Sequence, residues 1–278
     1  AQALEARTNK PVGEVVVDAP RVCLAGSATG TPALLLRSGV PDPGGETGNH
    51  LHIHPALVAA GDFEEPVRAW EGIPQTYECT QLLDLDRDDG DRIWIVPAFA
   101  HPVGTASLVP GHGASHRETL KRYSHLGALT AMIHDSTKGR VRPDGDFGVA
   151  IDYWPDADDR AQLVKGLVAC ARLLFAAGAR RVFIPGHPPR TYERGQSLDE
   201  VEKTVLVPGS MDVTAVHPMG SVPMGDIPSA AVDSRGKHKH LDGLWIADGS
   251  LFPTSIGGPP QLSIYAVGLH VGRAIAAR

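Results

Sequence analysis

Cysteine is scarce in this chain of 278 residues: Cys23, Cys79 and Cys170 are odd in number and widely spaced. That argues against a disulfide framework and a C-x-x-C metal site. Long apolar runs are missing too, and none approaches the ~20 residues of a bilayer-spanning helix. Nothing at residue 1 reads as a secretory signal. The chain starts at Ala1 without Met, which points to a processed or truncated polypeptide and leaves the compartment open. An excess of basic charge is also absent: 26 Lys and Arg face 32 Asp and Glu, for a net charge of −6. This speaks against a nucleic-acid footprint and against binding to an anionic membrane surface. No G-x-G-x-x-G occurs, so the dinucleotide fingerprint is not in these residues.

What is present is a 42% hydrophobic composition, enough for a good core in one or two domains, with 31 Gly and 23 Pro marking a loop-rich chain. The most informative stretch runs from Val216 to Ala274. Leu244–Ala247 is a short apolar run between Asp242-Gly243 and Asp248-Gly249, as expected of a strand buried on both faces. A ligand of an open α/β sheet sits beyond the carboxyl end of such a strand, where Asp248 and Gly249 fall. Gly257, Gly258, Pro259 and Pro260 form a stiff loop, and a helix is predicted from Gln261. Its Leu262, Tyr265, Ala266, Leu269 and Ile275 recur at helical spacing as one apolar face. Its start offers free N–H groups and a positive dipole end to a negative ligand group.

This order of residues resembles the C-terminal signature of the glucose–methanol–choline (GMC) oxidoreductases, FAD enzymes that oxidise alcohols. The resemblance rests on His217 with Gly220, Gly243 through Ser250, Pro253, and Pro259-Pro260-Gln261. The His217-Pro218-Met219-Gly220 wording is similar to the cholesterol-oxidase and long-chain-alcohol-oxidase branches. Ala25–Gly39 is similar to the family segment that closes the β-meander of the FAD domain, although Gly26 and Gly30 themselves read as tight helix-on-strand packing.

The fold this implies is α/β plus α+β: the C-terminal part of a Rossmann-like FAD-binding domain with an antiparallel-sheet substrate domain. Residues 1–55 are expected to be late, incomplete FAD-domain strands, 56–206 the substrate domain, and 207–278 the C-terminal FAD segment. The implied cofactor is FAD and the implied substrate an alcohol, with His217 as the base and the hydride passing to flavin N5. Asp248 and Gly249 are expected against the ribityl-pyrophosphate, and the Pro260-Gln261 helix start against the N1–O2 edge. The fingerprint half of such a protein is missing, so a second polypeptide, cleaved or separately encoded, is expected to supply it.

One position departs from the family pattern. The family's second His or Asn, paired with the catalytic His, is here Pro259, with neither donor nor base. Ser255, or a residue of the missing half, is the expected substitute. Within the same fold a cyanohydrin (hydroxynitrile) lyase keeps FAD without redox chemistry, and a non-catalytic binding subunit is a further alternative.

Along the rest of the chain, strands are predicted at 4–7, 15–17, 22–25, 77–85, 92–98, 105–109, 139–141, 148–153 and 181–184. Helices are predicted at 33–37, 119–134 and 163–178, the last begun by the acidic cap Asp156–Asp159. Residues 185–198 read as a loop at the rim of the site. His50, His52 and His54 alternate, and one strand face carrying all three is what a zinc-dependent hydrolase uses. The carboxylates and further ligands that such a site needs are not evident around them, however, and the family reading is a V-G-x-N-L-x-x-H-P-like segment leading into the substrate domain. No metal site is assigned. His238 and His240, in a Lys-rich turn, are expected to be solvated.

Overall fold

The computed structural model describes all residues except Ala1, Asn9, Pro74, Asp88 and Arg278, and all side chains of the rest except that of Gln2. (Asp88, between the strands expected at 77–85 and 92–98, therefore lies outside the described residues.) The chain begins with the hairpin β1 (Gln2–Leu4) and β2 (Pro11–Glu14), then β3 (Val22–Leu24), α1 (Ser27–Arg37), β4 (Asn49–Leu51) and β5 (Ala56–Asp62). Next come β6 (Ile93–Ala98), α2 (Pro102–Leu108), α3 (Gly113–Lys121), β7 (Leu126–Ile133), β8 (Gly139–Asp144) and β9 (Gly148–Asp152). The rest is α4 (Ala157–Ala176), β10 (Arg181–Ile184), β11 (Arg190–Glu193), α5 (Asp199–Glu202), β12 (Leu244–Ile246) and α6 (Gln261–Ala276). Among the described helices none is long and apolar enough to cross a membrane.

Five strands form one sheet in the order β11-β10-β5-β7-β6, antiparallel at every pairing. Alternation sends Leu57 and Ala59, Ala131 and Ile133, Ile93 and Ile95, and Val182 and Ile184 to one face. There α4 covers them with Leu163, Leu167, Cys170 and Leu174, forming the main hydrophobic core. Helix α4 starts where Asp156 accepts the Asp159 N–H at 2.8 Å, and it ends where Gly178, at φ +107°, reverses the chain. On the opposite face Ala60, Ala128 and Ala98 stand side by side in register, next to the Val58, Thr130 and Val96 row. Methyl-sized side chains leave a depression there. Pro97 is tolerated because β6 is an edge strand.

A second core joins α1, β12 and α6. Strand β12 runs parallel to β3, and Leu35, Trp245, Ile246, Leu251 and Val271 pack together. The β4-β8-β9 sheet rests on α1 through Leu51, Val141, Ala28 and Ala33.

Several local predictions change in three dimensions. Residues 119–134 divide into the end of α3, a 3-10 turn (Tyr123–His125) and β7, the strand between β5 and β6. A short apolar run reads alike as helix or strand. Residues 105–109 fall mostly in α2, because Pro102 opens a helix whose first N–H, that of Val103, donates to the His101 side chain. Of residues 77–85, only Cys79 and Leu83 form bridges, and β11 arises within the expected 185–198 loop. Of the apolar face expected on α6, only Ile275 packs inward. Val271, Val267 and Ala274 pack inward, while Leu262, Tyr265 and Leu269 are 80%, 62% and 57% exposed.

Where α4 crosses the sheet, a Cβ on Gly166 would lie 2.7 Å from Ala131 Cβ and 3.0 Å from Ile93 Cγ2. Gly166→Val is therefore expected to lower stability by about 1–3 kcal/mol, read as a reduced urea midpoint. An unchanged midpoint would contradict this packing.

Candidate active site

The loop carrying His217 is held from both sides by backbone. Met219 exchanges hydrogen bonds with His52, while the N–H groups of Gly220 and Val222 donate to the carbonyls of Gly249 and Ser250. Gly220 sits at φ +74°, and a Cβ there would collide with the His50 carbonyl oxygen, so only glycine fits. Ser221 completes the anchor. Pro32 lies inside α1 without an N–H, which leaves the Ala28 carbonyl short of its i+4 donor. The buried Ser221 Oγ donates to that carbonyl at 2.7 Å.

His217 lines a cleft of about 540 Å³ with His54, Trp94, Val96, Thr130, Met132 and Thr214 on its walls and Pro259, Pro260 and Gln261 at one end. An apolar depression of about 260 Å³, floored by the alanine row, adjoins it and shares Thr130 and Thr214. His54 Nδ1 lies 3.3 Å from His217 Nδ1, with the rings edge to face, and His54 Nε2 is 2.6 Å from the Ile256 carbonyl oxygen. Beneath them lies the buried carboxylate of Asp135. It accepts the N–H groups of Ile53 (3.0 Å) and His54 (3.3 Å) and the hydroxyls of Tyr153 (2.8 Å) and Ser255 (2.9 Å). His52 Nδ1 approaches it at 3.6 Å, beyond hydrogen-bond range.

Burial lowers the pKa of His217, and it lowers that of His54 further, to about 4, although the Asp135 charge opposes the shift. Burial alone would raise Asp135, but His52, Tyr153 and the Ile53 N–H outweigh it and hold the carboxyl at about 2. Tyr153 is pushed up by burial and then by the Asp135 charge.

Of the residues expected at the site, His217, Pro259, Pro260 and Gln261 line this one cleft. Asp248 is buried, its carboxylate taken up by the Ser27 N–H (3.0 Å), Thr31 Oγ1 (2.6 Å) and the Ser250 N–H (2.8 Å). It thus clamps the start of α1 to the end of β12, with Gly249 supplying its carbonyl to the His217 loop. Ser255 is not the partner of His217, because its hydroxyl is committed to Asp135. The imidazole beside His217 belongs to His54, from the segment that leads into the substrate domain.

Nor do the three alternating histidines share a face. Positive φ at His50 (+63°) and His54 (+49°) breaks the pleat; His50 pairs with Glu46, His52 approaches Asp135, and His54 meets His217. Among the described residues no group of three or more His, Cys, Asp and Glu suits a metal ion, and the shared strand face on which the zinc-hydrolase alternative rests does not form. His238 is buried rather than solvated, with its Nδ1 accepting the His240 N–H.

Acid titrates this site in one direction. Unfolded, His54 binds a proton below about pH 6.5; folded, it resists protonation until about 4, so stability falls as pH drops through that window. The depressed Asp135 carboxyl adds a further loss between about pH 4 and pH 2. The His54 displacement is worth on the order of 3 kcal/mol. Urea titrations at pH 7 and 4.5 are expected to show most of that loss in the wild type and much less in His54→Leu. Equal losses in both proteins would overturn the account.

Residues 135–268 match the family description GMC oxidoreductase, at its C-terminal domain. An uncharacterized GMC-type oxidoreductase of Mycobacterium tuberculosis is 36% identical over 97% of this chain, which spans 42% of that protein's length. A long-chain-alcohol oxidase of Arabidopsis thaliana is 27% identical over 92% of this chain and 37% of its own. Among solved structures, pyridoxine 4-oxidase from Mesorbium loti superposes with a TM-score of 0.66 at 20% identity, covering 95% of this chain and 52% of its own. Formate oxidase of Aspergillus oryzae RIB40 gives 0.64 at 16% identity, covering 92% and 54%. At such identities the structural likeness is one of fold. Residues 135–268 are thus a GMC oxidoreductase C-terminal domain, and the chain as a whole is similar to the C-terminal portion of GMC-type relatives.

Proposed function

We propose that this chain supplies the substrate cleft and the catalytic base of a flavoenzyme that oxidises an alcohol, with His217 as the base. The observation that carries the reading is that His217, the floor of the five-stranded sheet and the start of α6 border one cleft. Burial keeps the His217 imidazole neutral near pH 7, the state in which it takes a hydroxyl proton.

GMC oxidoreductases depend on FAD, and the residues here suit the flavin end of that group. Helix α6 begins after Pro260 without a side-chain cap, so its first N–H groups lack intrahelical partners and front the cleft. Pro260 and Gln261 would hold the flavin edge, and Gly249, backed by the Asp248 clamp, the ribityl side. FAD, when bound, takes up the hydride at N5. His217 accepts the substrate proton, and Pro259 shapes the cleft without adding a donor.

The exposed Leu262, Tyr265 and Leu269 stripe offers a face on which the rest of the fold packs. That remainder, on this polypeptide or on a second one, supplies the adenosine end. The separate cores, one between Leu57 and Val213 and one joining residues 24–40 to 222–275, support boundaries near 55 and 206, while β8 and β9 within 56–206 pack with β4 and α1 of the first segment. The alanine-floored depression suits an apolar substituent on the alcohol.

Replacing His217 by Ala is expected to lower kcat by about 10²–10⁴-fold while the flavin absorbance remains; turnover at the wild-type rate would sink the assignment. Ala128→Phe fills the depression and is expected to raise KM for long-chain alcohols about tenfold, leaving short ones nearly unaffected. An equal rise for both would argue against an apolar subsite there.

A further inference from the structure

A carbonyl oxygen only accepts, so the 2.6 Å contact between His54 Nε2 and the Ile256 carbonyl places a proton on Nε2. The ring is almost fully buried, and burial holds it neutral across the physiological range. A neutral imidazole carries one N–H, so His54 Nδ1 bears a lone pair. The atom 3.3 Å from that lone pair is His217 Nδ1, which must therefore be the donor. From these contacts we infer that His54 is a positioning residue that locks His217 as its Nδ1–H tautomer and leaves Nε2, across the ring, as the basic atom. The inference deepens the proposed function by naming the atom of His217 that receives the substrate proton.

The device is braced on each side. Asp135 accepts the His54 N–H and the Ser255 hydroxyl, and so fixes both the His54 backbone and the loop leading into Ile256. The titratable groups facing His54 are Asp135, His217 and His134. Asp135 touches the backbone of His54 rather than its ring, so no carboxylate competes for His54 Nδ1. The arrangement also accounts for Pro259: a second side chain from the loop before α6 is not needed to orient His217, because an imidazole from the β4–β5 connection already does so.

The test is a long-range proton–nitrogen correlation spectrum of the natively purified protein with nitrogen-15 histidine at pH 7.5, which separates the two tautomers without turnover. His217 is expected as Nδ1–H and His54 as Nε2–H. His54→Leu should mix the tautomers of His217 and reduce kcat about tenfold or more with little effect on KM, and His54→Asn, which restores an acceptor, should recover much of the loss. An Nε2–H tautomer for His217 in the wild type overturns the inference, and so does an unchanged His217 signal in His54→Leu. If His54→Leu fails to fold, the wild-type spectrum still decides. Normal turnover in His217→Ala would remove the proposed base but leave the tautomer result standing.

Discussion

The buried carboxylate of Asp135 is the constraint on which the site depends. It follows β7 and gathers donors from the β4–β5 connection, from Tyr153 after β9 and from Ser255 before α6. A charge removed from water is tolerable only when its lone pairs are filled, and hydrogen bonds to a charged acceptor are worth about 1.5–3 kcal/mol each. Four donors from three segments therefore have one arrangement that satisfies the group. That arrangement sets the backbone of His54 and the loop carrying Ile256, and through them the imidazole against His217. A carboxylate that does not itself line the cleft thus fixes the histidine pair that does.

The five-stranded sheet divides the labour between its faces. One face is filled by α4, with glycine at the tightest crossing so that helix and strands approach closely. The other keeps small side chains in register and forms the floor of the cleft. Because the pleat assigns neighbouring residues to opposite faces, Leu57 belongs to the core and Val58 to the depression with no change in chemistry between them. The rigid core behind the floor gives the cleft its shape.

The His217 loop shows how local exceptions are repaired from a distance. Pro32 deprives α1 of a donor, and Ser221, far along the chain, restores it. Gly220 removes a side chain so that the loop can lie on the His50 strand. Asp248, at the end of β12, accepts donors from the start of α1, and so fixes the angle at which helix and strand meet.

The sequence by itself determined the elements whose signals are local. The apolar run of β12 between glycines, the Asp-capped α4 closed by Gly178, and the Pro-Pro-Gln start of α6 were legible, as was the family to which the motif around His217 points. Tertiary structure decided what local pattern leaves open. Residues 126–133 became a strand because neighbours on both sides offered ladder partners, although the run itself suits a helix equally. Amphipathic spacing found an apolar face on α6, but which face turns inward was set by β12 and α1. His54 and Asp135 were invisible as site residues because their partners lie 163 and 81 residues away, and hydrogen bonds across such separations leave no periodicity to read. Spacing along a chain records the backbone's own repeat, whereas a charge network records only where folding has brought its members together.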